Sequence, residues 1–151
     1  MGRAPFQILV LPYRRGHRGV QYAIFRRADS DVWQGIAGGG ENGESPAEAA
    51  RRESLEEAAL PRGLPLTELD TTSSIPVTAF AYNASWGDKV YVIPEYCFGI
   101  DVQSFPIVTS KEHTEFRWAD YSEARSMLRY DSNKTALWEL NQKMHGLAPW
   151  A

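Results

Sequence analysis

Residues 38–60 read GGGENGESPAEAARRESLEEAAL: a glycine run, a turn at Glu41-Asn42-Gly43-Glu44, and then a helix with an explicit start signal. Ser45 is a good N-cap, Pro46 suits the first helical position, and Glu48, three residues after the cap, closes a capping box. The helix carries Glu53, Glu56 and Glu57 at i, i+3 and i+4, so their carboxylates share one face. Glu53 and Glu57 form a like-charge pair that costs roughly 0.2–0.5 kcal/mol in an isolated helix. Arg52 is the only local relief, four residues before Glu56 and in the less favourable order. An Ala/Glu/Arg-rich helix can be no more than a solvated face. Here, however, the acids follow a glycine turn that can bring backbone carbonyls beside them. Clustered carboxylates next to free carbonyls are what a hard divalent cation such as Mg²⁺ requires.

Around this stretch, 151 residues suit a single domain spanning 1–151 with a real core. A hydrophobic content of 43% with 23% charged residues is ordinary globular composition. The net charge of −3 and the lack of a Lys/Arg run argue against a nucleic-acid polymer as partner. Cys97 is the single cysteine, which excludes a disulfide framework and a cysteine-based zinc site. The N-terminal apolar run is too short for a signal-peptide core or a membrane span, so no membrane partner and a cytoplasmic location are expected.

Residues 6–11 (FQILVL) read as a buried strand, 13–19 as a hairpin loop and 20–25 (VQYAIF) as its return strand. His17 lies in that loop and reads as solvated. Residues 27–34 form a polar loop into the glycine run. After the helix, Pro61 and Pro65 enforce a stop. Residues 66–80 suit a long irregular strand, 82–88 a turn, and 89–102 (KVYVIPEYCFGIDV) are the strongest β signal. Pro94 within it implies a bulge or an edge position. A last strand over 116–119, a short helix over 121–128 capped by Asp120, and a longer helix over 132–144 complete the chain. Strands, helix, strands and helices in this order give an α/β/α sandwich with a mixed β-sheet between helices.

The spacing Gly38, Glu44, Arg52, Glu53, Glu56, Glu57, Leu60 resembles the Nudix hydrolase signature, G-x5-E-x7-R-E-U-x-E-E-x-G-U with U a bulky aliphatic. Two positions depart. Ser54 stands where an aliphatic is usual, and Ala59 replaces the final glycine, whose left-handed conformation costs alanine roughly 1 kcal/mol or more. The helix is therefore expected to end differently. The stretches RRADSDVWQGIAGG, EHTEFRW and SNKTALWEL are more loosely similar to the bacterial branch that acts on dATP or dihydroneopterin triphosphate, whereas residues 64–90 match poorly.

The resemblance implies the Nudix fold and an enzyme that uses Mg²⁺ or Mn²⁺ to cleave a diphosphate within a nucleotide-like small molecule. Glu53, Glu56, Glu57 and the Ala37 backbone carbonyl would hold metal. Arg52 would orient Glu53 or Glu44, and Glu44 would support the glycine loop. Gly38 and Gly39 would lie against substrate. Arg27, at a strand end, suits phosphate because guanidinium matches phosphate oxygens bidentately, and Trp33 either belongs to the core or its rim or stacks on a base or pterin ring. For the general base, Glu112 is the first choice, in the loop before the last strand. Glu115 is second, and Glu53 acting through its metal is third. His113 reads as a positioning or surface residue, and Glu95, after the strand proline, as structural. The expected reaction converts a nucleoside or pterin triphosphate to monophosphate and pyrophosphate. A dinucleoside polyphosphate or ADP-sugar hydrolase and a noncatalytic Nudix ligand-sensing module are the alternatives. Either a monomer or a homodimer is compatible with the sequence.

Overall fold

Strand β1 (Arg3–Gly16) runs through the middle of the sheet and divides its side chains between two cores. Ile8 and Val10 join Phe25, Ile36, Phe98 and Ile100 on one face, while Leu9, Leu11 and Tyr13 join Tyr22, Ile24 and Cys97 on the other. Period-two alternation makes this division. Because both faces are buried, the strand reads as a continuous apolar run rather than an alternating one. The computed structural model describes residues 2–80 and 86–146.

The elements follow as β2 (Gly19–Arg27), β3 (Trp33–Gln34), β4 (Ile36–Glu41), α1 (Pro46–Ala58), β5 (Leu66–Pro76), a 3-10 turn (Val77–Ala79), β6 (Val92–Asp101), β7 (His113–Ala119), α2 (Tyr121–Met127) and α3 (Asp131–His145). Among the described residues they form a seven-stranded sheet ordered β3-β2-β1-β6-β5, with β4 also on β1 and β7 on β2. The β1–β6 pair is parallel and the other pairs are antiparallel, so the sheet is mixed. Helix α1 covers one face through Ala49, Ala50 and Ala58. Helices α2 and α3 cover the other through Ala124, Leu137 and Leu140. This is the expected α/β/α sandwich. Among the described residues, no helix is long and apolar enough to cross a membrane.

Several local expectations are corrected. The hairpin loop shrinks to His17-Arg18, because pairing continues to Gly16 opposite Gly19. The glycine run is a strand, β4, paired with β1 from Val10↔Ile36 to Gln7↔Gly39. The long strand over 66–80 ends at Pro76 in the 3-10 turn. Pro94 takes the edge option: it faces Ser74 of β5, and pairing to β1 begins one residue later at Glu95. The missing N–H therefore interrupts no ladder on the β1 side. Residues 82–85 of the expected turn lie outside the described residues.

Helix α1 has its complete capping box: Glu48 N donates to Ser45 Oγ (3.1 Å) and Ser45 N to Glu48 Oε1 (2.8 Å). Ser54, fully buried at the aliphatic position, satisfies its hydroxyl by donating to Ala50 O at 2.7 Å. Contrary to expectation, the helix ends in the usual way. Ala59 adopts φ 58°, ψ 30°, its N–H donates to Leu55 O (3.0 Å), and Leu60 N donates to Ser54 O (3.2 Å). The closing bonds and the burial of Leu60 hold alanine in a left-handed conformation that it disfavours by roughly 1–2 kcal/mol. Ala59→Gly is accordingly expected to stabilise the protein by about 1 kcal/mol, after the added flexibility of the unfolded chain is subtracted. Thermal unfolding should read this as a melting temperature about 2–4 °C higher. A lower melting temperature would show that the conformation is not strained.

Candidate active site

The face of α1 turned to the sheet is made of small residues and acids: Ala49, Ala50, Glu53, Ser54, Glu57 and Ala58 are its buried residues. Side chains this small bring the helix close to β4, where glycines leave room for what remains. A Cβ on Gly38 would overlap the Glu53 carboxylate, and one on Gly39 would overlap the Arg3 guanidinium. The space expected for substrate at Gly38 and Gly39 is thus filled by the protein's own charged groups.

Arg52 binds this arrangement together. Nε and Nη2 grip Glu44 at 2.7 and 3.0 Å, Nη1 donates to Glu53 Oε1 (2.9 Å) and Glu56 Oε2 (3.2 Å), and Nη2 also reaches Gly39 O (2.9 Å). Both expected partners, Glu44 and Glu53, are engaged at once. The guanidinium holds the Glu44 carboxyl below its usual range. Glu44 in turn accepts from Glu41 N at 2.9 Å, fixing the end of the glycine strand.

Glu53 is 9% exposed, and burial pushes its carboxyl up to about 7, with Arg52 opposing the rise and Glu56 and Glu57 adding to it. Glu57 is also raised by burial, then by the carboxyl of Glu112, against a hydrogen bond from Ser110 Oγ at 2.9 Å. The loop before β7 is tied down on both sides. Ser110 N donates to Glu57 O (3.2 Å), and Ala28 N donates to Glu112 O (2.8 Å). This brings the Glu112 carboxyl beside Glu57 on α1. Glu115 points elsewhere, paired with Arg26 at 3.2 Å. His113 is buried rather than on the surface. Its Nδ1 lies 3.4 Å from Glu57 Oε2, its ring packs on Phe25, and burial lowers its pKa.

Among the described residues, no three acidic, histidine or cysteine side chains converge as they stand on one point fit for a metal ion. Their present partners hold these side chains apart. Arg52 draws Glu53 and Glu56 toward itself, while Ser110 draws Glu57. The donor set still fits a hard divalent ion: it is all oxygen and carries mutually repelling carboxylates, two of them raised by burial.

A cavity of about 260 Å³ opens on the opposite side of β4, on the α3 face of the sheet. Ala37 forms part of its lining, together with Gln7, Glu95 and Phe80, and Arg27 also lines it. Arg27 is held by Asp29 through bonds of 2.8 and 2.6 Å. Trp33 does not line this cavity. Its ring packs into the α2/α3 core beneath the Arg117 guanidinium (5.5 Å), and β3 pairing fixes it there, so the stacking expectation is not met.

Two residues escaped the sequence reading. Ser110 sits in a loop with no periodicity. Arg3 lies near the N-terminus, donates to Gln7 Oε1 (2.9 Å) and stacks on Phe80 (5.1 Å). Burial lowers the Arg3 pKa, Glu53 raises it, and Nε is buried without a hydrogen-bond partner. Its place at the edge of β1 opposite the glycine strand is a tertiary fact with no local signal.

Residues 7–139 match the family model of the NUDIX domain. A Nudix hydrolase of Listeria monocytogenes superposes with a TM-score of 0.87 at 43% identity, over 95% of this chain and 96% of that one. The Escherichia coli dihydroneopterin triphosphate pyrophosphohydrolase superposes with a TM-score of 0.73 at 26% identity, over 93% and 99% of the two chains. In sequence, the dihydroneopterin triphosphate diphosphatase of Escherichia coli K12 is 27% identical over 137 residues, 89% of this chain and 91% of that protein. The layered fold and the acidic helix closed on a glycine strand define a hydrolase class, and the match names it: the chain belongs to the Nudix family and is a Nudix hydrolase. The family generally uses divalent metal cations.

Proposed function

We propose that the protein is a Mg²⁺- or Mn²⁺-dependent pyrophosphohydrolase that converts a nucleoside or pterin triphosphate to the monophosphate and pyrophosphate by attack of water at phosphorus. The observation that carries this reading is the approach of Glu112 to Glu57 on the acidic face of α1, with a cavity sized for one ring across β4 on the other face of the sheet. At about 260 Å³ the cavity lies just below the ~300–1,000 Å³ of sites for drug-sized ligands, which suits one bicyclic ring better than the two of a dinucleotide.

Glu53, Glu56, Glu57 and the Ala37 carbonyl would hold the ion. A bound divalent cation neutralises diphosphate charge and makes a water more acidic. Arg52 keeps Glu53 and Glu44 in place by charge-assisted bonds. Arg27, once it exchanges Asp29 for substrate, and Arg3 meet phosphate oxygens at either end of the glycine strand. Glu112 takes the proton of the attacking water, and His113 positions Glu57 from the side.

Pyrophosphate release from triphosphates under Mg²⁺ tests the reaction. Two nucleotides from a dinucleoside polyphosphate, or a sugar phosphate from an ADP-sugar, would assign a different diphosphate. For the base, Glu112→Gln is expected to lower kcat by roughly 10²–10⁴-fold and to remove the acidic limb of the pH–rate profile. A mutant that keeps both rate and limb places the base elsewhere.

A further inference from the structure

The buried carboxyl of Glu95 is unused by the chemistry above, yet it lines the cavity. It is 5% exposed, on a strand interior, with Ser73 Oγ donating to its Oε1 at 3.2 Å and Ser132 as its other hydroxyl partner. The parallel register sets Gln7 directly beside it, Gln7↔Glu95. Gln7 Oε1 is already occupied by Arg3 Nη2 at 2.9 Å, so the amide presents its NH₂ group as donor. Ile75, Phe80 and Tyr130 add apolar surface to the lining of the same cavity. An apolar slot with a few convergent polar groups is the usual form of a site for a planar ring.

Polar order specifies which ring. One donor (Gln7) beside two acceptors (the Glu95 oxygens) complements an edge that reads carbonyl, ring N–H, exocyclic NH₂. We propose that Gln7 and Glu95 read this 2-amino-4-oxopyrimidine edge, which guanine and the pterins share. Adenine and cytosine turn a ring lone pair toward the carboxylate, and uracil and thymine turn a second carbonyl toward it. Hypoxanthine keeps the ring N–H but lacks the amino group. A site built to pair polar groups rejects a ligand that leaves them unpaired far more strongly than an apolar pocket rejects a misfit. Glu95 is thus a specificity residue, in place of the structural role that its neighbour Pro94 suggested. The proposal rests on the pyrophosphohydrolase reading for its kinetic test and on ring binding alone for a second, independent one.

Steady-state pyrophosphate release under Mg²⁺ from dGTP, dITP, dATP and dihydroneopterin triphosphate provides the first test. At least one of dGTP and dihydroneopterin triphosphate should exceed dATP by roughly 100-fold or more in kcat/KM, and dGTP should exceed dITP by roughly 10- to 100-fold. The ratio of dGTP to dihydroneopterin triphosphate tells which source of the shared edge the site prefers. Glu95→Gln, an isosteric change, should bring dGTP down to the level of dITP and leave dITP nearly unchanged, mainly through KM. Equal use of dGTP, dITP and dATP by the unmodified protein overturns the proposal, as does a variant that lowers dGTP and dITP alike. Calorimetric binding of dGMP, dIMP and dAMP separates the two readings. If no triphosphate yields pyrophosphate but dGMP still binds best, the reaction is wrong and the edge recognition stands. If pyrophosphate appears without ring preference and the monophosphates bind equally, the recognition fails and the reaction stands.

Discussion

Glu57→Gln is expected to leave a folded protein whose pyrophosphate release at saturating Mg²⁺ is lower by on the order of 10²–10³-fold or more. The two halves of that result have separate causes. Glutamine can still accept from Ser110 Oγ, the bond that joins the helix to the loop before β7. Burial and the neighbouring Glu112 already push the Glu57 carboxyl toward its neutral form, so a neutral isostere relieves the folded state at neutral pH. The melting temperature should therefore hold or rise while turnover collapses. This is the trade expected where a site keeps charge that its fold would rather lose. Turnover near that of the unmodified protein would remove Glu57 from the metal set.

The second large effect is a pH dependence of stability in metal-free protein. Burial raises Glu53 in the folded state to about 7, above the roughly 4.3 of an unfolded glutamate. Folding thus favours the protonated form. The contribution is fully present below the unfolded value, declines as pH rises, and is gone above about 7. In full it is of order 3–4 kcal/mol, of which roughly 2–3 kcal/mol falls between pH 5 and pH 8. Denaturation in urea with EDTA, at pH 5 and pH 8, should show this loss, and Glu53→Gln should lack it. The difference between the two proteins isolates Glu53 from other groups that titrate over the same range. Added Mg²⁺ should restore stability at pH 8, because the ion binds the ionised carboxylate. Parallel pH curves for the two proteins would show that the burial of Glu53 has no such cost.

What could be read from the sequence was whatever is written locally. The capping box of α1, the register of its acids and the apolar runs of β1 and β6 are short-range patterns with short-range causes. Residues 38–40 misled for the opposite reason. Glycine is depleted in strands, so a glycine run reads as a turn. Here it is a strand because Phe6, Arg3 and Glu53 occupy the places where its side chains would be. Trp33 was open to two readings, ring stacking or a place at the core, and pairing of β3 with β2 packs it against the core. Glu95 shows what alternation offers when followed through. It lies two residues before Cys97, which packs with the α2/α3 core, so parity assigns it to the same face. Arg3 and Ser110 had no local signal, because their partners lie far away in the chain.

The grip of Arg52 on Glu44, Glu53, Glu56 and the Gly39 carbonyl has a consequence for how the protein comes into being. A cluster of buried acids ordinarily needs its ion in order to assemble. In this chain one side chain acts as a resident counter-charge, present from the moment the helix forms. If Glu53 and Glu56 hold metal as proposed, the chain folds around the guanidinium first, and loading is an exchange in which carboxylates pass from it to the ion.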